Sequence, residues 1–280
     1  MSNRLRADLL VHAGPVPVPA YHRAWLGIAV AALVLASYVG GRLVLGVTPG
    51  PIFAGLGRLG TVIALMLPPW PSSTTHVATY LGALGQTLAI AFVGTSLAGV
   101  FALPLGFLAA RNVVAGRVVH FLARRVLDSV RSVDTLVWAL IWINVVGLGP
   151  FAGALAIAST DLAALAKLMS EAIETADEGP VEAVLAAGGG RLATMRFGIL
   201  PQVLPVFASQ ALYFFESNTR SATIIGIVGA GGIGLYLSEM IRVLEWREAA
   251  FLILLVLVAV AVIDMISRRL RAAIMGVRGS

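Results

Sequence analysis

The sequence predicts an all-α integral membrane protein with about six transmembrane helices. Three observations carry this: 59% of the 280 residues are hydrophobic, only 12% are charged, and the mean hydropathy is +0.92. A soluble domain carries about 25% charged residues, so a chain this apolar belongs in a bilayer.

A crossing helix needs about 20 mostly apolar residues. Windows of that kind fall at about 24–45, 83–110, 132–148, 150–170, 198–215 and 249–267. The first begins only after Arg23, beyond Pro15, Pro17 and Pro19, so it reads as a retained span rather than a cleaved leader. Residues 46–82, which include LPPWPSSTT, have the turn-forming composition of an external loop. Residues 111–131 form a basic inner connection, whose arginines set topology or meet anionic headgroups. Asp134 at the start of the third span and Asp161 inside the fourth call for structural partners in the bundle. The chain therefore divides into a tail, first span and external loop at 1–82, a transmembrane domain at 83–270, and a tail at 271–280.

Charge orients the chain. The net charge is +6, but 19 of the 20 basic residues are arginine and they gather at span ends, which speaks for membrane topology rather than nucleic acid. With the N-terminus in the cytoplasm, 15 basic residues lie inside, including Arg4, Arg6 and Arg23, the 111–131 group, Lys167, and the Arg268–Arg278 group. Arg42, Arg58, Arg220, Arg242 and Arg247 remain outside or near the outer interface. Both termini are then cytoplasmic.

Several chemistries are excluded. With no cysteine there is neither a disulfide nor a thiolate metal site. His12, His22, His76 and His120 lack ligand spacing, so no metal site is expected. A membrane-embedded enzyme would need convergent polar groups, and Asp134, Asp161 and Asn144 come without a paired histidine or metal motif. No catalytic residue is assigned. The single lysine, Lys167, lies in LAALAKLM without a glycine loop, so this chain has no ATP-cradling motif.

The longest polar interruption is 171–197, EAIETADEGPVEAVLAAGGGRLATMRF. Pro180 suits a first helical turn, Glu182 complements the dipole of that turn, and VEAVLAA is a strong helix former. Gly188, Gly189 and Gly190 then end the helix, because glycine takes the left-handed conformation of a C-terminal cap. Residues 191–197 start a second helix leading through Ile199, Leu200 and Pro201 into the next span.

The stretch IIGIVGAGGIG, 224–234, fits G-x-G-x-x-G at Gly229, Gly231 and Gly234. A dinucleotide site would need a second strand ending in an acid about 20 residues on. Glu245 and Glu248 lie near that distance, but they precede FLILLVLVAVAVI, a spanning run. The glycines read instead as a short re-entrant element, where irregular backbone is buried in protein. Just before it stand Glu216, Asn218, Arg220 and Ser221. Two roles stay open for Arg220: an i,i+4 ion pair with Glu216, or paired hydrogen bonds to an anionic substrate.

Glu182, Ala183, the step to Gly188, and then Ile199, Leu200 and Pro201 resemble the EAA loop, E-A-A, three residues, G, nine residues, I-x-L-P. Val184 stands at the third motif position, and Ile199 directly precedes Leu200. The chain thus resembles the permease subunit of a bacterial ABC importer. FFESNTRSATIIGIVGAGGIG, VVGLGPFAGALAIA at 145–158 and the final DMISRRLR are similar to the phosphonate-transport branch, from about residue 84 onward.

This resemblance implies a type I ABC importer permease fold in the bacterial inner membrane, with a re-entrant segment near the outer gate. It implies that Glu182, Ala183, Gly188, Gly189 and Arg191 couple to an ATPase, and that Glu216, Asn218, Arg220, Ser221, Gly229, Gly231 and Gly232 line the pathway or gate. The implied partners are a second copy of the chain, an ATPase dimer that binds ATP and magnesium, and an extracytoplasmic binding protein; the chain itself carries no cofactor. The implied cargo is a phosphonate or related phosphorus oxyanion, with phosphate, phosphite or a methionine-like solute as alternatives.

Overall fold

The structure, a computed structural model, describes residues 20–46, 49–113 and 116–276. Arg4, Arg6, His12 and Arg278, used in the sequence reading, lie outside the described residues. The chain divides between Val62 and Ile63 into two compact units. The first holds α1 (Ala20–Val44) and most of α2 (Pro49–Leu65). The second holds α3 (Thr74–Ala109), α4 (Arg117–Arg131), α5 (Thr135–Val146), α6 (Pro150–Glu174), α7 (Glu178–Ala186), α8 (Leu200–Ile225), α9 (Ile233–Arg242) and α10 (Trp246–Gly276). The described residues contain no strand.

Five helical runs are long and apolar enough to cross a membrane: Trp25–Val44, Thr74–Ala109, Pro150–Glu174, Arg191–Ala230 and Trp246–Ile274. They meet the first, second, fourth, fifth and sixth windows of the sequence. The third window, 132–148, is corrected. Asp134 caps α5 by accepting from the Leu136 amide at 2.8 Å, and Gly147 ends it at φ 93°, leaving a helix of 12 residues. At 1.5 Å per residue it spans about 18 Å, short of the roughly 30 Å hydrocarbon core. It forms a pair with α4, bent by 88°.

That pair is nonetheless the return path across the bundle. A Cβ on Gly94 would lie 2.7 Å from Ile157 Cγ2, and one on Gly106 would lie 2.6 Å from Met169 Cγ. The register advances equally on both helices, so α3 and α6 run parallel, and the chain between them must recross. The small-residue face of α3, with Gly94, Ala98, Ala102, Gly106 and Ala109, permits this approach, as in membrane helix pairs generally. Gly106→Val is expected to lower the apparent unfolding temperature of the detergent-solubilised chain by overpacking, a cost of about 1–3 kcal/mol. Gly82→Val, which meets open space, serves as the control; equal unfolding temperatures for the two variants would refute the packing.

A second correction concerns 46–82. Proline and glycine there suggested a loop throughout, yet residues 49–65 form α2. Pro49 and Pro51 fall in its first turn, where proline initiates rather than breaks a helix, and an apolar run follows. Among the described residues after α2, 66–73 form the loop that leads into α3.

Candidate functional site

Two ends of the second unit serve as reference points. One carries α7 and the turns around it; the other carries the 147–149 link and the glycine segment.

At the first end, α7 is built for exposure. Asp177 caps it, accepting from the Gly179 amide at 3.1 Å, and Glu178 sits in its first turn. Gly188, at φ 82°, ends it in a Schellman turn: its amide reaches Leu185 O at 2.9 Å and that of Gly189 reaches Val184 O at 2.9 Å. A Cβ on Gly189 would lie 2.7 Å from Val184 O, so the turn excludes any larger residue there. The glycine stop read from the sequence is therefore present, while Gly190 caps the next turn.

Two residues that sequence reasoning missed anchor α7. Gly198 lets its backbone approach that of Val181, whose side chain packs on the cluster of Met169, Ile173, Ile199 and Val203. Gln202 clamps the capping residue, donating to Asp177 O at 3.0 Å and accepting from its amide at 2.9 Å. The FGILPQ sequence after the loop was the available signal, since a glycine one turn before a proline-containing helix start marks a close backbone contact. Arg191, itself exposed, donates to Val113 O, tying this end to the segment after α3.

Glu182, Ala183 and Leu185 are thus left on an exposed face, joined by Leu192 at 81% exposure. A cleft of about 490 Å³ opens beside it, lined by Glu174, Glu178, Val181, Glu182, Arg191 and Thr194 among others. An anchored helix with exposed apolar and acidic side chains is a protein-docking surface in form.

Midway along the bundle lies a polar layer. Asn218 on α8 is buried, donating to Thr95 Oγ1 on α3 at 2.8 Å and to the Asp161 carboxyl on α6. Asp161 thus has the structural partner expected of it. Asn144 is satisfied within its own helix, by Leu140 O at 2.7 Å. Glu216 pairs with Arg220 at 3.7 Å, as the i,i+4 spacing suggested, but its closer partner is Arg271 on α10 at 3.2 Å. Ser221 bonds within α8. Thr95 and Asp161 stand near mid-length of α3 and α6, and Asn218 reaches both from the last third of α8.

At the other end the glycine segment is a break between α8 and α9. Gly229, Gly231 and Gly232 have positive φ, and α9 begins at Ile233. Two amides at this helix start are taken: Gly232 N–H donates to Gln86 Oε1 and Ile233 N–H to Thr87 Oγ1, both at 2.8 Å. Gly149 N–H in turn donates to Gly229 O at 3.1 Å. A Cβ on Gly232 would stand 2.4 Å from Thr87 Oγ1. The glycines serve close packing, and the two amides at the start of α9 are spent on α3 side chains rather than open to a phosphate.

The structure also joins residues that the sequence left apart. Glu248, in the first turn of α10, accepts from the Ser72 amide at 3.2 Å, from Ser72 Oγ and from Tyr80 OH, and lies 3.0 Å from His76 Nδ1. Ser72, just before α3, and His76 and Tyr80 on it are spaced four apart, a periodicity that was legible but lacked a visible partner. Ser72 Oγ lies 3.2 Å from the same Nδ1, so serine and glutamate share one imidazole nitrogen. A catalytic triad needs them on opposite nitrogens, and the cluster instead latches the 66–73 loop to α10. Among the described residues no group of three potential ligands could hold a metal.

Five helical runs long and apolar enough to cross a membrane, with an exposed, capped helix between two of them, define a multi-pass membrane protein. The chain belongs to the family of binding-protein-dependent transport system inner membrane components, whose profile matches residues 102–275. It is 37% identical over 217 residues to the phosphite transport system permease protein PtxC of Stutzerimonas stutzeri, covering 78% of each chain. It is 35% identical over 240 residues to the phosphate-import permease protein PhnE of Mycolicibacterium smegmatis, covering 86% of this chain and 45% of that one. Its fold is similar to a chain of the MetNI methionine ABC transporter in an inward facing conformation, with TM-score 0.64 and 20% identity over 72% of this chain and 99% of that one. The protein is therefore a multi-pass permease subunit of an ABC importer, with the type I permease fold.

Proposed function

We propose that this chain forms the translocation pathway of an ATP-driven importer for phosphonates or related phosphorus oxyanions such as phosphite. The observation that carries the cargo is the similarity to PtxC along most of both chains. The exposed α7 supports docking on a separate ATPase, which binds ATP and magnesium.

Two copies of the chain enclose the pathway, each presenting α7 to one ATPase subunit. Glu182 and Ala183 make the contact, Gly188 and Gly189 shape the turn behind it, and Arg191 ties that turn to the bundle. Closure of the ATPases on ATP moves both α7 helices and switches the cavity from inward-facing to outward-facing, where a binding protein delivers the oxyanion. Both termini and α7 then lie in the cytoplasm, as the arginine distribution favours. Glu216, Arg220 and Ser221 face the pathway, Asn218 positions them, and Gly229, Gly231 and Gly232 form the packed break beside the outer gate.

The test is ATP hydrolysis in liposomes holding this chain with its ATPase and binding protein, challenged with methylphosphonate, phosphite, phosphate and methionine. Stimulation by methylphosphonate or phosphite is expected. Stimulation by methionine alone would overturn the cargo and keep the importer.

A further inference from the structure

The Glu216 carboxylate is outnumbered. Its side chain is 11% exposed and faces two guanidiniums from different helices. Arg271 Nη2 lies 3.2 Å from Oε2, within hydrogen-bond reach, and its guanidinium also sits 6.0 Å from the ring of Tyr213. Arg220 Nη1 lies 3.7 Å from Oε1, beyond a hydrogen bond. Arg271 is only 20% exposed, but Arg220 is 50% exposed. Arg220 is held by charge alone and keeps its planar fork of donors open.

Its surroundings decide what the fork faces. Tyr213, Arg220, Ile224 and Ile227 are exposed on one face of the crossing run Arg191–Ala230, at steps of seven, four and three residues. Arg220 lies inside this run, ten residues before its end at Ala230. An arginine facing lipid at that depth costs about 2.5–3.5 kcal/mol or more, whereas one facing a water-filled path does not.

We propose that Glu216, Arg220 and Arg271 form a charge-exchange site, in which a passing tetrahedral oxyanion takes Arg220 from Glu216 while Arg271 retains Glu216. This rests on the phosphorus-oxyanion reading above. Two oxygens of the oxyanion fit the guanidinium fork side by side. Glu216 keeps its counter-ion on Arg271 throughout, so no buried carboxylate is left unpaired. When the oxyanion leaves, Glu216 recovers Arg220. The competition keeps the site weak, as conduction requires: attractive enough to enter and loose enough to leave. Arg271, at the DMISRRLR end of the chain, is the residue that makes the exchange possible.

The test measures binding of radiolabelled methylphosphonate to the solubilised permease–ATPase complex without binding protein, and uptake turnover in proteoliposomes. Amounts are matched by the folded peak in size exclusion. Glu216→Gln is expected to tighten binding about tenfold and to slow uptake, because the oxyanion stays on Arg220. Arg271→Ala is expected to weaken binding, because Glu216 then closes on Arg220, and the double variant with Glu216→Gln is expected to bind like Glu216→Gln alone. Adding Arg220→Ala to Glu216→Gln removes the binding. Binding unchanged in Glu216→Gln, or binding that survives Arg220→Ala, overturns the exchange site while leaving the importer intact. Failure of the unaltered transporter to import any phosphorus oxyanion overturns both readings.

Discussion

Glu182→Lys is expected to cut ligand-stimulated ATP hydrolysis and transport by about a hundredfold, while the yield of folded permease stays within experimental scatter. Glu182 is exposed and makes no ion pair or side-chain hydrogen bond among the described residues. Substitutions at such sites change stability by about 0.5 kcal/mol or less. The fold of α7 does not depend on it either, because its anchors are Val181, Gln202 and the Gly188 turn. In a docked contact the position behaves differently. Reversing a charge that is desolvated against a partner costs about 2–5 kcal/mol, and about 2.7 kcal/mol is a hundredfold in equilibrium. Co-purification with the ATPase, run beside a thermal scan of the permease alone, separates the two effects. A variant that binds ATPase and transports normally would remove Glu182 from the contact. Gly188→Val is a less specific probe. Its φ of 82° disfavours a β-branched residue, so the Schellman turn and α7 itself would suffer along with coupling.

Much of this was legible in the sequence, for identifiable reasons. The long spans follow from uninterrupted hydropathy, and α7 from a proline, an acidic first turn and three glycines in the right order. The bent α4–α5 pair was not legible, because an apolar window of 17 residues reads as a span, and nothing local announces that Asp134 starts a helix of only 12 residues. Residues 49–65 were missed because proline and glycine were counted as turn signals without regard to position. Partners distant in sequence were the hardest. Arg271 sits 55 residues from Glu216, and Ser72 sits 176 from Glu248. Only the packing of α10 against α8 and α3 brings them together, and a nearer arginine at i,i+4 masks the true partner of Glu216.

The same long-range packing governs the second large effect, at Asn218. Its amide joins α3 and α6 by donating to both Thr95 and Asp161, and it is buried beneath the surface of α8. Asn218→Leu removes both donations and leaves the Asp161 carboxyl without its amide partner in an apolar bundle, a loss of about 2–3 kcal/mol. The apparent unfolding temperature and the folded yield should both fall. Removing both partners should cost less than removing one, since an apolar pair of similar shape leaves no unsatisfied group. Asp161→Leu combined with Asn218→Leu is therefore expected to be more stable than Asn218→Leu alone, a sign of coupling that a double-mutant cycle reads directly. Additive losses would mean that the two side chains act independently. The cycle also separates structure from passage. If the layer only holds α3, α6 and α8 in register, the double variant should retain most of its uptake per folded molecule, and the charge chemistry of the pathway would rest on Glu216, Arg220 and Arg271.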